Sequence, residues 1–451
     1  MLRYVPMNEK SFVRSEFWSR LSTEQQRVFS VVTKVLPFRV NEYVLNELIN
    51  WHDLDNDPMY QLVFPQAGML SDKDFTSLEQ CLKSDDLQRL KRTVHEIRLS
   101  MNPHPAGQLD ANQPCLKDGT PLNGVQHKYR ETLLFFPAAA QTCHAYCSFC
   151  FRWPQFVDMP DYKFQAKQSQ QLITYLQENP DISDVLFTGG DPMVMNIRSL
   201  VNCIEPLLDV ASVKTIRIGT KSLSYWPYRY LTDKDADDVI NLFKRIRESG
   251  RHLALMAHFN HVREMAPAAV RQAISRVQEA GATVRLQAPA LKHINDRAEQ
   301  WRSLWTQAVN LGCIPYYMFV ERDTGPKGYF DLPLVKLHQI FVEAYSSVSG
   351  LARTVRGPSM STYWGKIVVE DICTIAGEKA IVLKFLQARN IDWVGKLFFA
   401  RYNRHATWID ELEPLGGGSF FFQTEPIVQH DTGLIQLVDA GSNNEAIGAD
   451  I

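Results

Sequence analysis

Between residues 130 and 345, short apolar runs alternate with longer amphipathic segments, and this alternation restricts the fold more than any other feature. The apolar runs are TLLFFP (132–137), DVLFTGG (184–190), TIRIGT (215–220), LALMAHFNH (253–261), TVRLQAPA (283–290) and IPYYMFVERD (314–323). Segments between them have helical periodicity and several close on a glycine, as at Gly250. Repeated β-then-α units predict a parallel sheet with crossover helices. Six units favour an open, partial barrel over a closed eight-stranded one.

The sequence therefore predicts an α/β protein built on a partial (βα)6, TIM-like barrel. We predict a helical N-terminal region over 1–100, a linker rich in Pro, Gly, Asn and Asp over 101–130, and the barrel over 131–350. A β-rich C-terminal extension is expected over 351–451, with β signals in LARTVRGPSM, KIVVEDICTI, KLFFARYN and SFFFQTE. Active sites of such sheets lie at the carboxyl ends of the strands.

Composition and charge exclude several classes of function. The 451 residues are 45% hydrophobic and 22% charged, with a formal net charge of −2. Without a Lys/Arg run, nucleic acid is not expected as a partner. The first residues lack an apolar signal core, and no apolar stretch approaches the ~20 residues that span a bilayer. We expect a cytoplasmic protein with no membrane partner.

Three of the eight cysteines are clustered directly after the first apolar run, as Cys143-x3-Cys147-x2-Cys150. Thiolates at such spacing bind zinc or an iron–sulfur cluster. A structural zinc site needs a fourth ligand, and His144 is poorly placed to bind the same metal. Three cysteines instead suit a 4Fe-4S cluster with one iron left open, because an open coordination position is what makes a metal site catalytic.

The cysteine spacing, with Phe149 before the last cysteine, resembles the signature of the radical S-adenosylmethionine superfamily. That resemblance implies a 4Fe-4S cluster whose open iron chelates S-adenosylmethionine, and a 5′-deoxyadenosyl radical that abstracts hydrogen from a substrate. The turn after the second strand looks like the superfamily's glycine-rich motif. Residues implied in S-adenosylmethionine binding are Phe149, Thr188, Gly189, Gly190, Asp191, Thr220, His258 and Asn260.

Within the superfamily, residues 95 to 370 resemble lysine 2,3-aminomutase and its relatives. The resemblance is carried by HKYRETLLFF, CFR, LFTGGDP, IRIGT, AHFNH and YYMFVERDTGPKGYF. It implies that pyridoxal phosphate works with the radical chemistry and that Arg152 binds the substrate carboxylate, for which a guanidinium is suited. Glu321 and Asp323 are the candidates for the carboxylate that pairs with a substrate amine, although their register is offset by one.

The sequence departs from the aminomutase pattern around the lysine that binds pyridoxal phosphate. Relatives carry Pro and four glycines before that lysine, whereas this chain reads RGPSMSTYWGK from Arg356 to Lys366. Lys366 is the candidate lysine, and Gly357, Ser359 and Ser361 are candidate phosphate donors. Ahead of the cysteines, Thr132 replaces a family arginine, while Lys128 and Tyr129 keep part of that motif.

Three alternatives remain open at this point. A radical enzyme without pyridoxal phosphate would do epimerisation, carbon–carbon cleavage or peptide modification. The other two alternatives are an RNA-associated cluster protein and a non-enzyme with structural zinc. The favoured reading has a small, zwitterionic substrate, since both cationic and anionic side chains follow the strands. It also implies an electron donor such as flavodoxin or ferredoxin and allows a homo-oligomer.

Overall fold

A mixed sheet of eleven strands organises the chain in the computed structural model, which describes residues 3–84, 86–102, 112–157, 165–166 and 170–425. The strands are β1 (Pro6–Asn8), β2 (Arg39–Asn41), β3 (Val125–Tyr129), β4 (Thr132–Phe135), β5 (Asp184–Phe187), β6 (Thr215–Thr220), β7 (His252–His258), β8 (Thr283–Ala290), β9 (Ile314–Val320), β10 (Arg356–Ser361), β11 (Gly365–Ile375), β12 (Glu378–Ala388) and β13 (Leu397–Arg401). The α-helices are α1 (Glu9–Val13), α2 (Thr23–Val32), α3 (Pro58–Val63), α4 (Asp72–Ser84), α5 (Leu87–Ser100), α6 (Gln170–Glu178), α7 (Ile197–Ile204), α8 (Ser222–Tyr225), α9 (Ala236–Glu248), α10 (Ala268–Glu279), α11 (Ala298–Asn310), α12 (Lys327–Phe330), α13 (Leu334–Ser346) and α14 (Phe421–Thr424).

The six apolar runs all form strands, β4 to β9, which lie side by side in chain order and pair in parallel. At least one α-helix crosses between each neighbouring pair, as parallel pairing requires. Gly250 follows α9 with φ of +80°, the left-handed conformation that ends a helix. The predicted α/β class with a large parallel sheet is confirmed.

The C-terminal segment joins the main sheet through its first strand. β10, which overlaps the predicted β segment LARTVRGPSM, pairs in parallel with β9 and so continues the main sheet. Its other neighbour is β11, and β10, β11, β12 and β13 follow one another in antiparallel pairs at this end. The parallel pairing was not predicted because RGPSMS lacks the apolar pattern of a buried strand, and its burial comes from β9, β11 and α13 packed around it.

Two further expectations differ from the structure locally. The range expected as a linker contains β3, which pairs with β4, while residues 103–111 lie outside the described residues. The SFFFQTE segment contains helix α14, not a strand. Its aromatic rings pack around Phe398 and Trp393, so apolar burial rather than strand pairing explains its composition. β12, in contrast, was not anticipated.

The N-terminal region, with α1 to α5, packs against the loop that follows β4. The backbone amide of Tyr146 donates to the carbonyl of Arg39 at 2.8 Å, and that of Ser148 donates to Leu62 at 2.8 Å. The buried Asn41 amide group donates to the carbonyls of His144 and Tyr225 at 3.1 and 3.0 Å. The loop is therefore held from outside the sheet by a region distant in sequence.

Candidate active site around the cysteine loop

The loop that leaves β4 carries the three clustered cysteines. Cys143, Cys147 and Cys150 are free thiols and each is partly accessible. Burial raises the pKa of all three thiols, that of Cys150 to about 12. Since a metal binds the thiolate, the positive charge of iron is what would deprotonate these groups.

The donor set fits a cluster better than a single ion. Among the described residues, no three Cys, His, Asp or Glu side chains converge on one point as the ligands of one metal ion do. A 4Fe-4S cluster makes no such demand, because each thiolate binds a different iron. The side chain of His144 is buried away from solvent and burial lowers its pKa to about 3.

The glycine turn after β5 packs directly on the cysteine loop. A Cβ on Gly190 would lie 2.3 Å from the carbonyl oxygen of Thr142. The amide of Gly190 donates to the carbonyl of Ala140 at 2.8 Å, and that of Asp191 donates to Thr142 at 2.7 Å. Gly189 has φ of +144°, a backbone conformation that side chains disfavour. These glycines are thus required by the close approach of two loops at the sheet edge.

Asp191 and Thr220, both predicted to bind S-adenosylmethionine, bind each other. The Thr220 hydroxyl donates to the Asp191 carboxylate at 2.7 and 2.9 Å, and the amides of Met193 and Lys221 also donate to it at 2.9 Å. Both side chains are buried. Asp191 therefore ties the ends of β5 and β6 together, and its oxygens are already engaged.

The remaining residues predicted for S-adenosylmethionine lie around the same loop. Phe149 is buried, with its ring 6.2 Å from that of Phe330. Burial lowers the pKa of His258 to about 3, so this imidazole is neutral. Asn260 accepts from Lys221 at 3.0 Å, but its Nδ2 has no hydrogen-bond partner among the described residues. The N–H donors of this side-chain amide are therefore available to a ligand.

Arg152 is positioned beside the glycine turn. Its Nη2 donates to the hydroxyl of Thr188 at 3.1 Å, and its guanidinium lies 4.6 Å from the ring centre of Phe136. Nη1 has no hydrogen-bond partner among the described residues. Burial lowers the pKa of Arg152 to about 10, which still leaves it cationic at neutral pH. One edge of the guanidinium is available to a ligand.

Glu321 and Asp323 follow β9 on either side of Arg322. Burial raises the pKa of the Glu321 carboxyl well above its usual range. The Arg322 Nε lies 3.7 Å from the Asp323 carboxylate, and its guanidinium lies 5.3 Å from the ring centre of Phe151. Since Phe151 also lies 5.2 Å from the guanidinium of Arg152, one ring contacts both Arg152 and the arginine that separates Glu321 from Asp323.

Lys366, the second residue of β11, is surrounded by protein and yet keeps some accessible surface. Its Nζ lies 4.1 Å from the ring centre of Tyr317. Burial, with smaller effects of Arg217 and Arg356, lowers the pKa of this ammonium to about 7. A lysine that is partly neutral near pH 7 is a nucleophile.

Two further groups near Lys366 are unusual. Lys128 in β3 donates to the carbonyl of Thr362, and burial together with the charges of Arg389, Arg322 and Lys366 lowers its pKa well below the usual range. Ser359 in β10 is completely buried, and its hydroxyl has no partner among the described residues. Sequence reasoning named Ser359 as a phosphate donor but missed the cluster of cations, which forms only when β3, β9 and β11 are brought together.

Lys221 does not belong with the ligand-binding cations, although it follows β6 as the sequence suggested. It is buried in an ion pair with Glu264 at 2.5 Å, and the side chains are 9% and 0% exposed. Glu264 was not identified from sequence because it lies six residues beyond β7, in a segment without a motif.

Comparisons with known proteins show the family to which the chain belongs. A family model described as a 4Fe-4S single cluster domain matches residues 130–249. A protein of Aquifex aeolicus, provisionally named L-lysine 2,3-aminomutase, is 30% identical over 406 residues, covering 90% of this chain and 96% of that protein. The chain belongs to the lysine 2,3-aminomutase family. It is therefore a radical S-adenosylmethionine enzyme of an isomerase family, with a 4Fe-4S cluster and S-adenosylmethionine as cofactors.

Other matches to this aminomutase-family chain are more distant. The L-lysine 2,3-aminomutase of Bacillus subtilis is 28% identical over 272 residues, which are 60% of this chain and 55% of that protein. The crystal structure of Streptococcus suis SuiB covers 69% of this chain and 66% of its own, with 15% identity and a TM-score of 0.34, too low to support an inference. Among the described residues, no helix combines the length and apolar character needed to cross a bilayer.

Proposed function

We propose that this chain moves an amino group on a small, zwitterionic amino-acid-like substrate, using pyridoxal phosphate bound to Lys366 together with the radical chemistry of its family. The observation that carries the proposal is the Lys366 amine, whose pKa is lowered to about 7. Its neighbours Arg217, Arg356 and Tyr317 offer no carboxylate that would hold it as an ammonium. A purely structural lysine in a strand would not need this environment.

Cys143, Cys147 and Cys150 are the proposed ligands of the cluster. The turn at Gly189 and Gly190 lies against their loop and would present backbone groups to the amino acid part of S-adenosylmethionine. In this superfamily, the reduced cluster supplies an electron that cleaves S-adenosylmethionine and yields the radical that abstracts hydrogen. A flavodoxin or ferredoxin is the proposed electron donor.

Pyridoxal phosphate needs an amine and a site for a dianionic phosphate. Lys366 would supply the amine, and Ser359, with its unpaired buried hydroxyl, would donate to the phosphate. Arg322, which is close enough to Lys128 to lower the pKa of that lysine, would provide positive charge nearby. This set replaces the glycine run of relatives with side-chain donors, because a phosphate is held by convergent donors of either kind.

Arg152 would hold the substrate carboxylate through its unpaired Nη1. The guanidinium is kept in place by Thr188 and Phe136, so the carboxylate would lie next to the glycine turn and the cluster loop. Glu321 and Asp323 remain the proposed partners of a substrate amine. A protonated Glu321 would accept from such an amine through its carbonyl oxygen.

These groups would share one interior space in a partial barrel. Supporting this shape, the two ends of the sheet approach each other: Lys128 of β3 bonds to Thr362 between β10 and β11, and Arg389 after β12 donates to Asn112. Sequential strand order with helical crossovers is the connectivity of a barrel. In this arrangement residues 131–350 would supply the cluster and the carboxylate anchor, and the extension from 351 would supply Lys366.

The proposal is tested by trapping. Anaerobically reconstituted protein is incubated with pyridoxal phosphate, reduced with borohydride, and digested for mass spectrometry. We expect one phosphopyridoxyl group per chain, located on Lys366. The exposed Lys336 serves as an internal control for nonspecific labelling.

A Lys366→Arg variant should keep its cluster and lose the adduct. If the adduct is absent, or is spread over surface lysines at low stoichiometry, the chain does not use pyridoxal phosphate. Its radical chemistry would then serve epimerisation, carbon–carbon cleavage or peptide modification.

A further inference from the structure

The buried ion pair of Lys221 and Glu264 lies near the cysteine loop and has no role in the function proposed above. The ammonium of Lys221 bonds to the Glu264 carboxylate, and it also donates to the Asn260 side chain at 3.0 Å and the His258 carbonyl at 3.3 Å. Glu264 accepts in addition from Ser224 at 2.6 Å. Taking both charges out of water is costly unless every donor and acceptor is satisfied. The donors and acceptors of this pair are satisfied, so the pair is a rigid element.

Tyr225 connects this pair to a cysteine. Its ring centre lies 4.6 Å from the Lys221 ammonium, and its hydroxyl lies 3.6 Å from the sulfur of Cys147. The side chain is 2% exposed, so water does not compete for the hydroxyl. The Tyr225 backbone carbonyl accepts a hydrogen bond from the buried Asn41 side chain at 3.0 Å, which fixes the main chain of this residue.

We propose that Tyr225 donates a hydrogen bond to the Cys147 thiolate when that thiolate binds iron, and that the Lys221–Glu264 pair orients Tyr225 for this contact. This inference rests on the proposed ligation of the cluster by Cys147. The direction of the bond follows from chemistry, because an iron-bound thiolate has no proton to give and the phenol must be the donor. The nearby ammonium draws electron density from the ring and so strengthens the phenol as a donor.

The consequence of this hydrogen bond is a change in the reduction potential of the cluster. Reduction adds one negative charge to the cluster and its thiolates, and a donor to sulfur stabilises the more negative form more strongly. Tyr225 thus makes the cluster easier to reduce. It is a positioning residue for the electron-transfer step and touches neither substrate nor S-adenosylmethionine in this role.

The experiment uses the full-length chain reconstituted with iron and sulfide, without S-adenosylmethionine. The midpoint potential is measured by redox titration followed by electron paramagnetic resonance, alongside iron content per chain. Tyr225→Phe should hold the same iron and show a lower midpoint potential than wild type. Tyr228→Phe, which removes a hydroxyl three residues away beside Tyr43 and Trp226, should leave the potential unchanged.

A second variant acts in the opposite direction. Incorporation of 3-fluorotyrosine at position 225 makes the phenol a stronger donor and should raise the potential, which decides the matter if the phenylalanine variant folds poorly. Equal potentials in wild type and both altered proteins, with full iron content, would overturn the inference. Failure of the wild-type chain to hold a cluster, or retention of a complete cluster by Cys147→Ala, would instead contradict the proposed ligation.

Discussion

Replacing Gly190 by alanine tests whether the glycine turn holds the cysteine loop in place. The new Cβ would lie 2.3 Å from the oxygen, 2.6 Å from the carbon and 2.6 Å from the nitrogen of the Thr142 backbone. All three atoms belong to main chain, so no side chain can rotate away. Overpacking of this kind costs about 1–3 kcal/mol. The shift would also strain the Asp191 to Thr142 bond of 2.7 Å, worth about 1 kcal/mol.

The expected total is about 3 kcal/mol of unfolding free energy, roughly a hundredfold in the folding equilibrium. It is measured by urea unfolding of the apoprotein, followed by iron content after reconstitution, which should fall because Cys143 directly follows Thr142. Gly328→Ala is the control, since a Cβ there meets nothing within 4 Å and the residue lies in helix α12. That change should be neutral or stabilise by up to about 1 kcal/mol. A Gly190→Ala protein as stable and as rich in iron as the control would refute the reasoning.

Two further predictions concern the proposed cofactor site. The pKa of Lys366 is lowered to about 7, so between that pH and its ordinary pKa the unfolded chain binds the proton and the folded chain does not. The free energy of unfolding should therefore rise with pH across this window. Lys366→Met should remove about 2 kcal/mol of the increase between pH 7.5 and 9.5, measured by urea unfolding of the apoprotein. Parallel pH profiles for the two proteins would contradict the lowered pKa. Ser359→Ala should stabilise the apoprotein by about 1 kcal/mol, because it removes a buried unpaired hydroxyl, and should weaken pyridoxal phosphate binding about tenfold in an absorbance titration. Ser212→Ala removes another hydroxyl without a partner among the described residues and should leave cofactor affinity unchanged, whereas equal affinity in all three proteins would exclude Ser359 as a phosphate donor.

The main strands were predictable because their signal is local. Runs such as TIRIGT and LALMAHFNH are apolar enough to be buried on both faces, and a strand with this property belongs to a parallel sheet covered by helices. β10 lies in a segment predicted as β, but Pro358, Ser359 and Ser361 do not show the apolar run of a parallel strand. Its place in the sheet depends on pairing with β9, which no local pattern encodes.

The candidate site divides along the same line. Cysteine spacing and a glycine turn are short-range motifs, because ligands to one cluster and a tight loop contact require particular residues at neighbouring positions. The partner of Lys221 is 43 residues away, and the bond from Lys128 to Thr362 spans 234. Such contacts depend on how distant segments of the chain pack together in the folded protein.

By itself, therefore, the sequence determined the six parallel strands β4 to β9 with their helical crossovers, the cluster-binding motif and the family. Only the tertiary structure decided which charged side chains are paired within the protein and which are available to a ligand. Lys221 and Lys366 are the same residue type, and burial beside a carboxylate makes the first a structural cation. Burial among arginines and a tyrosine ring made the second a lysine of lowered pKa, because the energy of a charge depends on its surroundings and not on its residue type.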